Sequence, residues 1–547
     1  MIYFSTLFIS LFITMVLTPL SRWFCQRIGD VDSPGGRKIH ASPVTKSGGI
    51  AMAFGVVVPL LLWANPDSFV RAVLLGAGVV LLCGFVDDLR SLDWKVKFAP
   101  QFAAALIVVL YGGVEIRNLG LLLPQGYLLP TAIAIPLTLL VIVGVTNAIN
   151  LSDGLDGLAG GICLLSFCCI GYLGHLTDNI SVTLISAALV GAILGFLRFN
   201  SYPATLFMGD AGSQFLGFTG ACLALGLTQG GSPLSPVLPL IILGFPILDT
   251  LAVMGERISA GQSPFHADNR HFHHRLLGFG LFHSEAVTII YVLQASLVTA
   301  AFFLRFQSEW LILLGYLLFT SLVMAAFLIA VKTGFRFKRY HLIDKVIKGK
   351  LKMWRDRAVL IRVIYQAAEI SLPALLIISC VMADQFPSYF SYVSFGLLLV
   401  VLVSFCTNNG SWLSGAVRLV LYILIPAVIY LNNGTAMPEW LNGLYLTFYH
   451  LVFGLLALVV ILTLKFTRRQ RGFKPWPMDF LILFMAIVIP ILPDTWIQNQ
   501  QMGPMAVKII LLLFSYEVVL GEMRGNVKKV GFTTMAALAV FGLKGIL

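Results

Sequence analysis

Long apolar stretches separated by short polar ones run the length of the 547-residue chain. Most hold about 18 residues or more, the length at which a helix can cross a hydrocarbon core of roughly 30 Å. The first part of the chain contains stretches that predict eleven spans: 2–20, 48–64, 70–86, 98–113, 129–147, 158–176, 181–198, 212–228, 235–255, 284–304 and 310–331. This pattern predicts an all-α integral membrane protein.

The same pattern continues beyond residue 358. It predicts six further spans and a short last segment: 359–383, 389–406, 411–431, 442–465, 478–497, 504–522 and 531–547. We therefore expect about 17–18 transmembrane helices, of which the first eleven form the chemically active core. Between the fourth and fifth spans, residues 114–128 predict a small hairpin on the outer side.

The charged residues support a membrane location and indicate an orientation. Only 11% of the residues are charged and the mean hydropathy is +0.90, whereas soluble proteins carry about 25% charged residues. The net charge of +12 is concentrated in alternate loops, at 21–48, 332–358 and 466–477. Because basic loops remain in the cytoplasm, we expect these loops to be cytoplasmic and the N-terminus to be outside. Motifs that stack on or read bases are absent, so no nucleic-acid partner is expected.

Two adjacent carboxylates, Asp87 and Asp88, end the third predicted span. Such a pair is costly in a membrane protein unless it is hydrated or bound to a cation. A solvated helix end is therefore the alternative to a functional site. The Asp-rich motifs of prenyl transferases bind diphosphate through Mg²⁺, but the next carboxylate here, Asp93, does not fit their spacing.

A second polar segment lies between two apolar spans and contains Asn147, Asn150, Asp153 and Asp156. Asp153 and Asp156 are three residues apart, so they share a face if the segment is a helical turn. The glycines among them allow a backbone to approach a ligand closely and to offer N–H groups to an anion. A helix cap followed by a flexible turn is the alternative interpretation.

The third candidate is Asp210, which stands between small residues at the start of the eighth predicted span. An Asp at this place can cap the helix. It also suits Mg²⁺, which prefers one or two carboxylates together with phosphate oxygens.

The fourth candidate is a cluster of His271, His273, His274 and Arg275. Three of the nine histidines lie within four residues. Zinc is disfavoured because no cysteine lies nearby and the spacing is too tight for three ligands of one ion. Binding of phosphate and sugar by His and Arg fits better.

The fifth candidate is the basic first loop, which contains Arg37, Lys38, His40 and Lys46. Its cations are either the anchor expected of a cytoplasmic loop or a grip on a lipid phosphate at the membrane surface.

In the order in which they occur, these segments resemble the sequence blocks of the polyprenyl-phosphate N-acetylhexosamine-1-phosphate transferase family. The matching blocks are DxPxxRKxHxxP at 32–43, GG at 48–49, DD at 87–88, NxxNLxDGxDGLAGG at 147–161, FMGDAGS at 207–213 and HFHHRL at 271–276. The His-x-His-His-Arg form resembles the branch that uses simple UDP-N-acetylhexosamines. Residues after about 340 resemble no part of the family core.

The resemblance implies a single phosphoryl transfer. The phosphate of a polyprenyl (undecaprenyl) phosphate attacks the β-phosphorus of a UDP-N-acetylhexosamine, UMP leaves, and the product starts a lipid-linked glycan. By this resemblance residues 1–335 are a polytopic sugar-1-phosphate transferase domain. Residues 336–358 are then a basic cytoplasmic linker, and 359–547 an additional transmembrane domain of unknown role.

Roles carry over to the matching positions. The resemblance implies Mg²⁺ as cofactor, with Mn²⁺ as an alternative, held by Asp210 and by Asn150 as candidate second ligand. The residues implied in catalysis are Asp87, Asp88, Asp153 and Asp156. Those implied in substrate binding are Lys38, His40, Asn147, His271, His273, His274 and Arg275. A base and a purely electrostatic role both stay open for Asp87, because a phosphate dianion is already a nucleophile near neutral pH.

The implied location is the bacterial inner membrane, with several membrane passes and the active site on the cytoplasmic face. A homodimer and partners from the same glycan pathway stay open. The rival classes are a polytopic lipid-linked glycan transporter and an aromatic prenyltransferase. A transporter places ionisable groups near the bilayer midplane, whereas the groups here cluster at cytoplasmic helix ends.

Overall fold

The structure is a computed structural model, and it describes two compact parts of the chain. The described residues are 2–29, 31–32, 44–63, 67–90, 92–124, 126–263, 270–336, 358–382, 388–406, 410–432, 453–455, single residues and short runs between 505 and 520, and 527–544. The first unit comprises Met1–Lys338 with Pro475–Leu481, and the second comprises Arg339–Lys474 with Ile482–Leu547.

The described residues of the first unit form helices and one pair of very short strands. Its helices are α1 (Ile2–Ile28), α2 (Gly48–Trp63), α3 (Ser68–Arg90), α4 (Trp94–Leu110), α5 (Thr131–Leu151), α6 (Leu158–Leu176), α7 (Ile180–Asn200), α8 (Gly209–Thr228), α9 (Pro239–Ile242), α10 (Gly244–Ser259), α11 (Phe272–Gly278), α12 (His283–Leu304) and α13 (Glu309–Lys332). Strands β1 (Val31–Asp32) and β2 (Val44–Thr45) pair antiparallel.

Eight helices in the described part of the chain are long and apolar enough to cross a membrane. They include α3, α5, α6, α7, α12 and α13, and most of α1. The chain is therefore an all-α integral membrane protein that crosses the membrane several times, as the apolar pattern predicted. The predicted total of about 17–18 spans stays a prediction, since 433–452 and 456–504 lie outside the described residues.

Helix α8 forms the interior of the first unit. It packs against α2, α3, α5 and α6 and is buried along nearly its whole length. Small residues allow this approach: a Cβ on Gly84 of α3 would lie only 2.6 Å from the Cα of Ala211. Close packing through small residues is a common way for membrane helices to associate. The end of α3 and the start of α8 are thereby brought into backbone contact.

The predicted single span at 235–255 is in fact broken into α9 and α10. The backbone groups that this break frees are satisfied by side chains from other helices. Nε2 of Gln294 donates to the carbonyl oxygen of Ile242 (2.8 Å), and its Oε1 accepts from the N–H of Phe245 (3.2 Å). Such compensation is what allows a helix to break inside a membrane protein. The sequence pattern alone did not reveal it, because the apolar run is continuous.

The predicted hairpin at 114–128 is wrong: this described stretch holds a single 3-10 turn, Gly120–Leu122, and no strand. The carboxylate of Glu309 binds the backbone of this stretch. Its Oε2 accepts from the N–H of Leu121 (2.9 Å), and Gly120 adopts a φ of +59° beside it. This buried carboxylate satisfies one backbone N–H of the stretch in place of a strand partner.

The second unit has its own apolar interior. Its described helices are α14 (Ala358–Met382), α15 (Ser388–Cys406), α16 (Gly410–Asn432) and α17 (Val527–Lys544). α17 packs against the other three. An ion pair joins Lys529 of α17 to Glu369 of α14 (3.2 Å).

Candidate active site

The side chain of Asp88, at the end of α3, holds the first turn of α8. Its two oxygens accept from the N–H groups of Asp210 and Ala211, at 3.0 Å each. Lys46 lies 3.4 Å from the same carboxylate. The first N–H groups of a helix have no partner within the helix, so Asp88 supplies one and fixes the position of Asp210.

Asp87 and Asp210 meet at the ammonium group of Lys97. Lys97 forms an ion pair with Oδ2 of Asp87 and lies 3.3 Å from Oδ2 of Asp210. The side chain of Asp87 is 1% exposed, whereas those of Lys97 and Asp210 are 29% and 32% exposed. The carboxylate of Asp87 also accepts from the N–H of Leu92 (2.7 Å). Two carboxylates from two helices therefore converge on one cation at an accessible place.

Lys97 is a residue to which the sequence assigned no role. It follows Asp87–Asp88 in the chain and stands in the first turn of α4. A lysine there looks like one more cytoplasmic anchor, and only the packing of α3, α4 and α8 reveals that it joins two carboxylates. Asp249 and Glu256, in the helix α10, are likewise residues to which the sequence assigned no role.

Asn150 ties the end of α5 to the start of α8. The single hydrogen of the Ser213 hydroxyl is shared between Oδ1 of Asn150 (2.6 Å) and the carbonyl oxygen of Gly209 (2.9 Å). An amide oxygen has two lone pairs, so Asn150 retains one for another partner. Asn147, one turn earlier, donates instead to Oε1 of Gln101 (2.6 Å).

The loop after α5 brings a further carboxylate towards this place. Burial, followed by the neighbouring carboxylates of Asp210, Asp88 and Asp156, raises the pKa of Asp153 to about 7. Asp156 has a different environment, since its Oδ2 accepts from the N–H of Ala204 (2.9 Å). The concentration of negative charge around Asp153 favours a cation in this region.

The histidine cluster is held by α10. Oδ2 of Asp249 lies 3.0 Å from Nδ1 of His271, and its Oδ1 accepts from the N–H of Phe272 (2.9 Å). Arg275 is held in the same way by an ion pair with Glu256. Two carboxylates of one helix therefore orient the cluster.

His273 joins this cluster to the loop after α5. A Cβ on Gly154 would overlap the His273 ring, so the ring lies directly against the glycine backbone. Burial, followed by the neighbouring His274, lowers the pKa of His273 to about 3, so the ring is neutral. The rings of His273 and His274 are 4.2 Å apart between centroids. The structure thus brings together two motifs more than 110 residues apart in the sequence.

We expect Gly154→Ala to raise about tenfold the KM for the UDP-N-acetylhexosamine that the family resemblance implies, because a misplacement of about 1 Å can cost up to roughly 100-fold. The added methyl group would push His273 out of its place, while the fold around α5 remains. Steady-state kinetics of the purified protein measures the effect. Gly144→Ala in α5 is the matched control, because a Cβ there meets nothing within 4 Å. Equal behaviour of the two variants would show that the contact of Gly154 with His273 has no role in binding.

The side-chain oxygen atoms near the Lys97 ammonium are of the kind that binds a hard divalent cation. Among the described residues, no three His, Cys, Asp or Glu side chains converge as a complete ligand set. Mg²⁺, however, is commonly held by one or two carboxylates together with water and substrate phosphates. Asp210 and Asn150 offer such oxygens near Asp87, and the Lys97 ammonium already occupies a cation position between the carboxylates.

The remaining predicted site residues, Lys38 and His40, lie outside the described residues. Their assignment to substrate binding stays a prediction.

Comparison with known proteins identifies similar sequences. A family model described as glycosyl transferase family 4 matches residues 70–228. A probable undecaprenyl-phosphate N-acetylglucosaminyl 1-phosphate transferase of Bacillus subtilis (strain 168) is 35% identical over 347 residues, which are 63% of this chain and 96% of that protein. An undecaprenyl-phosphate alpha-N-acetylglucosaminyl 1-phosphate transferase of Escherichia coli O157:H7 is 31% identical over 363 residues, 64% of this chain and 96% of that protein.

A mycobacterial protein is a third relative. The decaprenyl-phosphate N-acetylglucosaminephosphotransferase of Mycobacterium tuberculosis (strain CDC 1551 / Oshkosh) is 35% identical over 316 residues, 51% of this chain and 77% of that protein. The first two alignments cover nearly all of each relative and about two thirds of this chain, and the third covers about half of it. The chain belongs to the polyprenyl-phosphate N-acetylhexosamine-1-phosphate transferase family, within glycosyl transferase family 4.

Proposed function

We propose that this protein transfers N-acetylglucosamine-1-phosphate from its UDP-sugar to a polyprenyl phosphate and releases UMP. The observation that carries the proposal is the meeting of Asp87, Asp210 and Lys97 at one accessible place. A reaction between two phosphate anions needs cations to bring them together and carboxylates to hold those cations. The names of the relatives given above describe transfer of an N-acetylglucosamine phosphate to a polyprenyl phosphate.

The reaction exchanges one phosphorus–oxygen bond for another. An oxygen of the lipid phosphate forms a bond to the β-phosphorus of the UDP-sugar. The bond from that phosphorus to the bridging oxygen breaks, and UMP leaves with this oxygen. The product is a polyprenyl diphosphate that carries the sugar. Charge stabilisation and alignment provide most of the catalysis in transfers of this kind.

In this proposal each residue of the site has a separate role. Lys97 draws the phosphate oxygens together, and Asp87 orients the Lys97 ammonium and the lipid phosphate. Asp88 acts through Asp210, whose N–H it binds. Mg²⁺, or Mn²⁺ in its place, held by Asp210 and Asn150, would neutralise the diphosphate.

In this proposal the sugar nucleotide binds at the histidine cluster and the loop after α5. We assign the His273 ring, with His274 and Arg275 next to it, to the diphosphate and sugar. Asp153 and Asp156 shape the nucleotide part of this site. Their loop touches the histidine cluster at Gly154, which supports one continuous binding surface.

The proposed location is the bacterial inner membrane with the site on its cytoplasmic face. UDP-sugars are cytoplasmic, and the segment 21–48, which includes Lys46 beside Asp88, carries five Lys and Arg residues, as expected of a cytoplasmic segment. Labelling of a cysteine placed at Lys95 should be complete only after the cytoplasmic side is exposed. Complete labelling of intact cells by an impermeant reagent would contradict this orientation.

Release of UMP tests the proposed function. The purified full-length protein should release UMP from UDP-N-acetylglucosamine only when both a polyprenyl phosphate and Mg²⁺ are present, and EDTA should stop it. Transport of a preformed lipid-linked sugar across a vesicle membrane, without any release of UMP from UDP-N-acetylhexosamines, would favour the glycan transporter instead.

We expect a chain that ends at Lys338 to retain UMP release. This end coincides with the main boundary of the first compact unit, and every residue assigned to the reaction lies before Leu276. The measurement compares kcat and both KM values with those of the full chain, after size-exclusion chromatography has shown a monodisperse product. A monodisperse but inactive product would show that residues 339–547 contribute to the site.

A further inference from the structure

Three amide side chains form a buried chain across helices α4, α5 and α8. Nδ2 of Asn147 donates to Oε1 of Gln101 (2.6 Å), and Nε2 of Gln101 donates to Oε1 of Gln214 (3.0 Å). Gln101 is 1% exposed and Gln214 is 0% exposed. Asn147 is anchored further through its bond to the carbonyl oxygen of Val143 (2.8 Å). We call Gln101, Asn147 and Gln214 the amide layer.

The amide layer lies one helical turn below the proposed reaction site. Each amide shares a helix face with one residue of that site, because the two are three or four positions apart. The pairs are Gln101 with Lys97 on α4, Asn147 with Asn150 on α5, and Gln214 with Asp210 on α8. Four residues correspond to about 6 Å along a helix axis. All three helices that provide these site residues are therefore connected directly beneath them.

Stability alone does not explain amides at these positions. Apolar side chains of similar size would fill the interior without any need for partners. Nε2 of Gln214 is buried and has no hydrogen-bond partner within the described part of the chain, which is a cost that an apolar residue would avoid. Hydrogen bonds between amide side chains on neighbouring helices form in one register only, whereas apolar helix surfaces can slide past each other.

We propose that Gln101, Asn147 and Gln214 are positioning residues that hold the phosphate-binding groups above them in register. The proposal rests on the proposed transferase function and extends it to residues that touch no substrate. It also replaces the substrate-binding role that the family resemblance implied for Asn147 with a positioning role. Displacement of a reacting group by about 1 Å can cost roughly 100-fold in rate, so the register of these helices matters.

Kinetics of Gln101→Met tests the proposal first. Methionine keeps the length of the side chain and removes both hydrogen bonds. We expect kcat for UMP release to fall about 10- to 100-fold with little change in the KM for the UDP-sugar. If this variant does not fold, Gln214→Met, which removes the bond at one end of the layer, makes the same test.

A double-mutant cycle then separates positioning from contact. If Asn147 acts through Gln101, the double variant Gln101→Met/Asn147→Leu should lose no more activity than the worse single variant. Losses in kcat that multiply, together with a raised KM in Asn147→Leu, would mean that Asn147 contacts substrate, and would overturn the proposal.

Mn²⁺ binding provides a measurement that does not depend on activity. Titration followed by electron paramagnetic resonance, on the full-length protein without substrates, should show about tenfold weaker Mn²⁺ binding in Gln101→Met, as is typical when the support of a metal ligand is lost. The matched control is Ser10→Ala, which removes the bond from the fully buried Ser10 of α1 to the carbonyl oxygen of Ala188 of α7 (2.5 Å).

The outcomes separate the two hypotheses. A lower melting temperature in both variants, with kcat and Mn²⁺ affinity unchanged in both, would show that the amide layer is only structural. Weaker Mn²⁺ binding and slower release of UMP in Gln101→Met alone would support positioning. If the unaltered protein binds Mn²⁺ but releases no UMP, the proposed function fails, while the Mn²⁺ comparison still decides about the layer.

Discussion

Asp210→Asn should lower kcat for UMP release by about 1000-fold or more. The change keeps the size of the side chain and removes one negative charge from the place where Asp210 meets Lys97. Loss of a metal ligand costs several kcal/mol of transition-state stabilisation, and about 4 kcal/mol corresponds to about 1000-fold in rate. The protein should still fold and insert, because the bond to Asp88 uses the backbone N–H of residue 210.

The measurement is UMP release by the purified variant over a range of Mg²⁺ concentrations. Asp67→Asn is the matched control: Asp67 caps the other end of α3 by accepting from the N–H of Val70 (2.7 Å). This control should lose some stability and keep its kcat. Retained activity of Asp210→Asn at ordinary Mg²⁺ concentrations would show that Asp210 is not a metal ligand.

Lys97→Met should lower kcat by about 100- to 1000-fold, the usual cost of removing a charged donor from a site that stabilises developing negative charge. The variant leaves Asp87 and Asp210 without the ammonium that now joins them. Lys97→Arg should recover part of the rate, because it keeps the charge but not the geometry. Lys95→Met, an exposed position in the same helix turn, is the control.

The Mg²⁺ dependence of Lys97→Met distinguishes two roles of the lysine. If Lys97 binds phosphate oxygens, kcat falls at every Mg²⁺ concentration. If the ammonium only occupies a position that the metal takes during the reaction, the variant needs less Mg²⁺ for half-maximal rate and keeps its kcat. The second result would remove Lys97 from the catalytic machinery.

Several chemical features could be predicted from local sequence. Asp87, Asp210 and the His273 cluster are polar groups at the borders of apolar stretches, where the cost of burying them makes a random occurrence improbable. Their order along the chain carries the family resemblance. Local sequence also correctly indicated the class of the protein, because the length of an apolar run relates directly to the thickness of a bilayer.

Individual roles were harder to predict, since they depend on which helix ends meet. Asp88 stands next to Asp87 in sequence, yet it binds the N–H groups at the start of α8 while Asp87 faces Lys97. Neighbouring residues on a helix point in directions about 100° apart. Local sequence does not say what lies in either direction.

By itself, the sequence determined the membrane class, the positions of most helices and the set of residues with chemical potential. These depend on apolar run length and on residue type, which are local properties. The tertiary structure alone decided that Lys97 joins two carboxylates, that Asp249 orients His271, and that the amide layer lies beneath the site. These are contacts between residues distant in sequence, and they are set by the packing of small residues such as Gly84 against α8, for which the apolar pattern carries no signal.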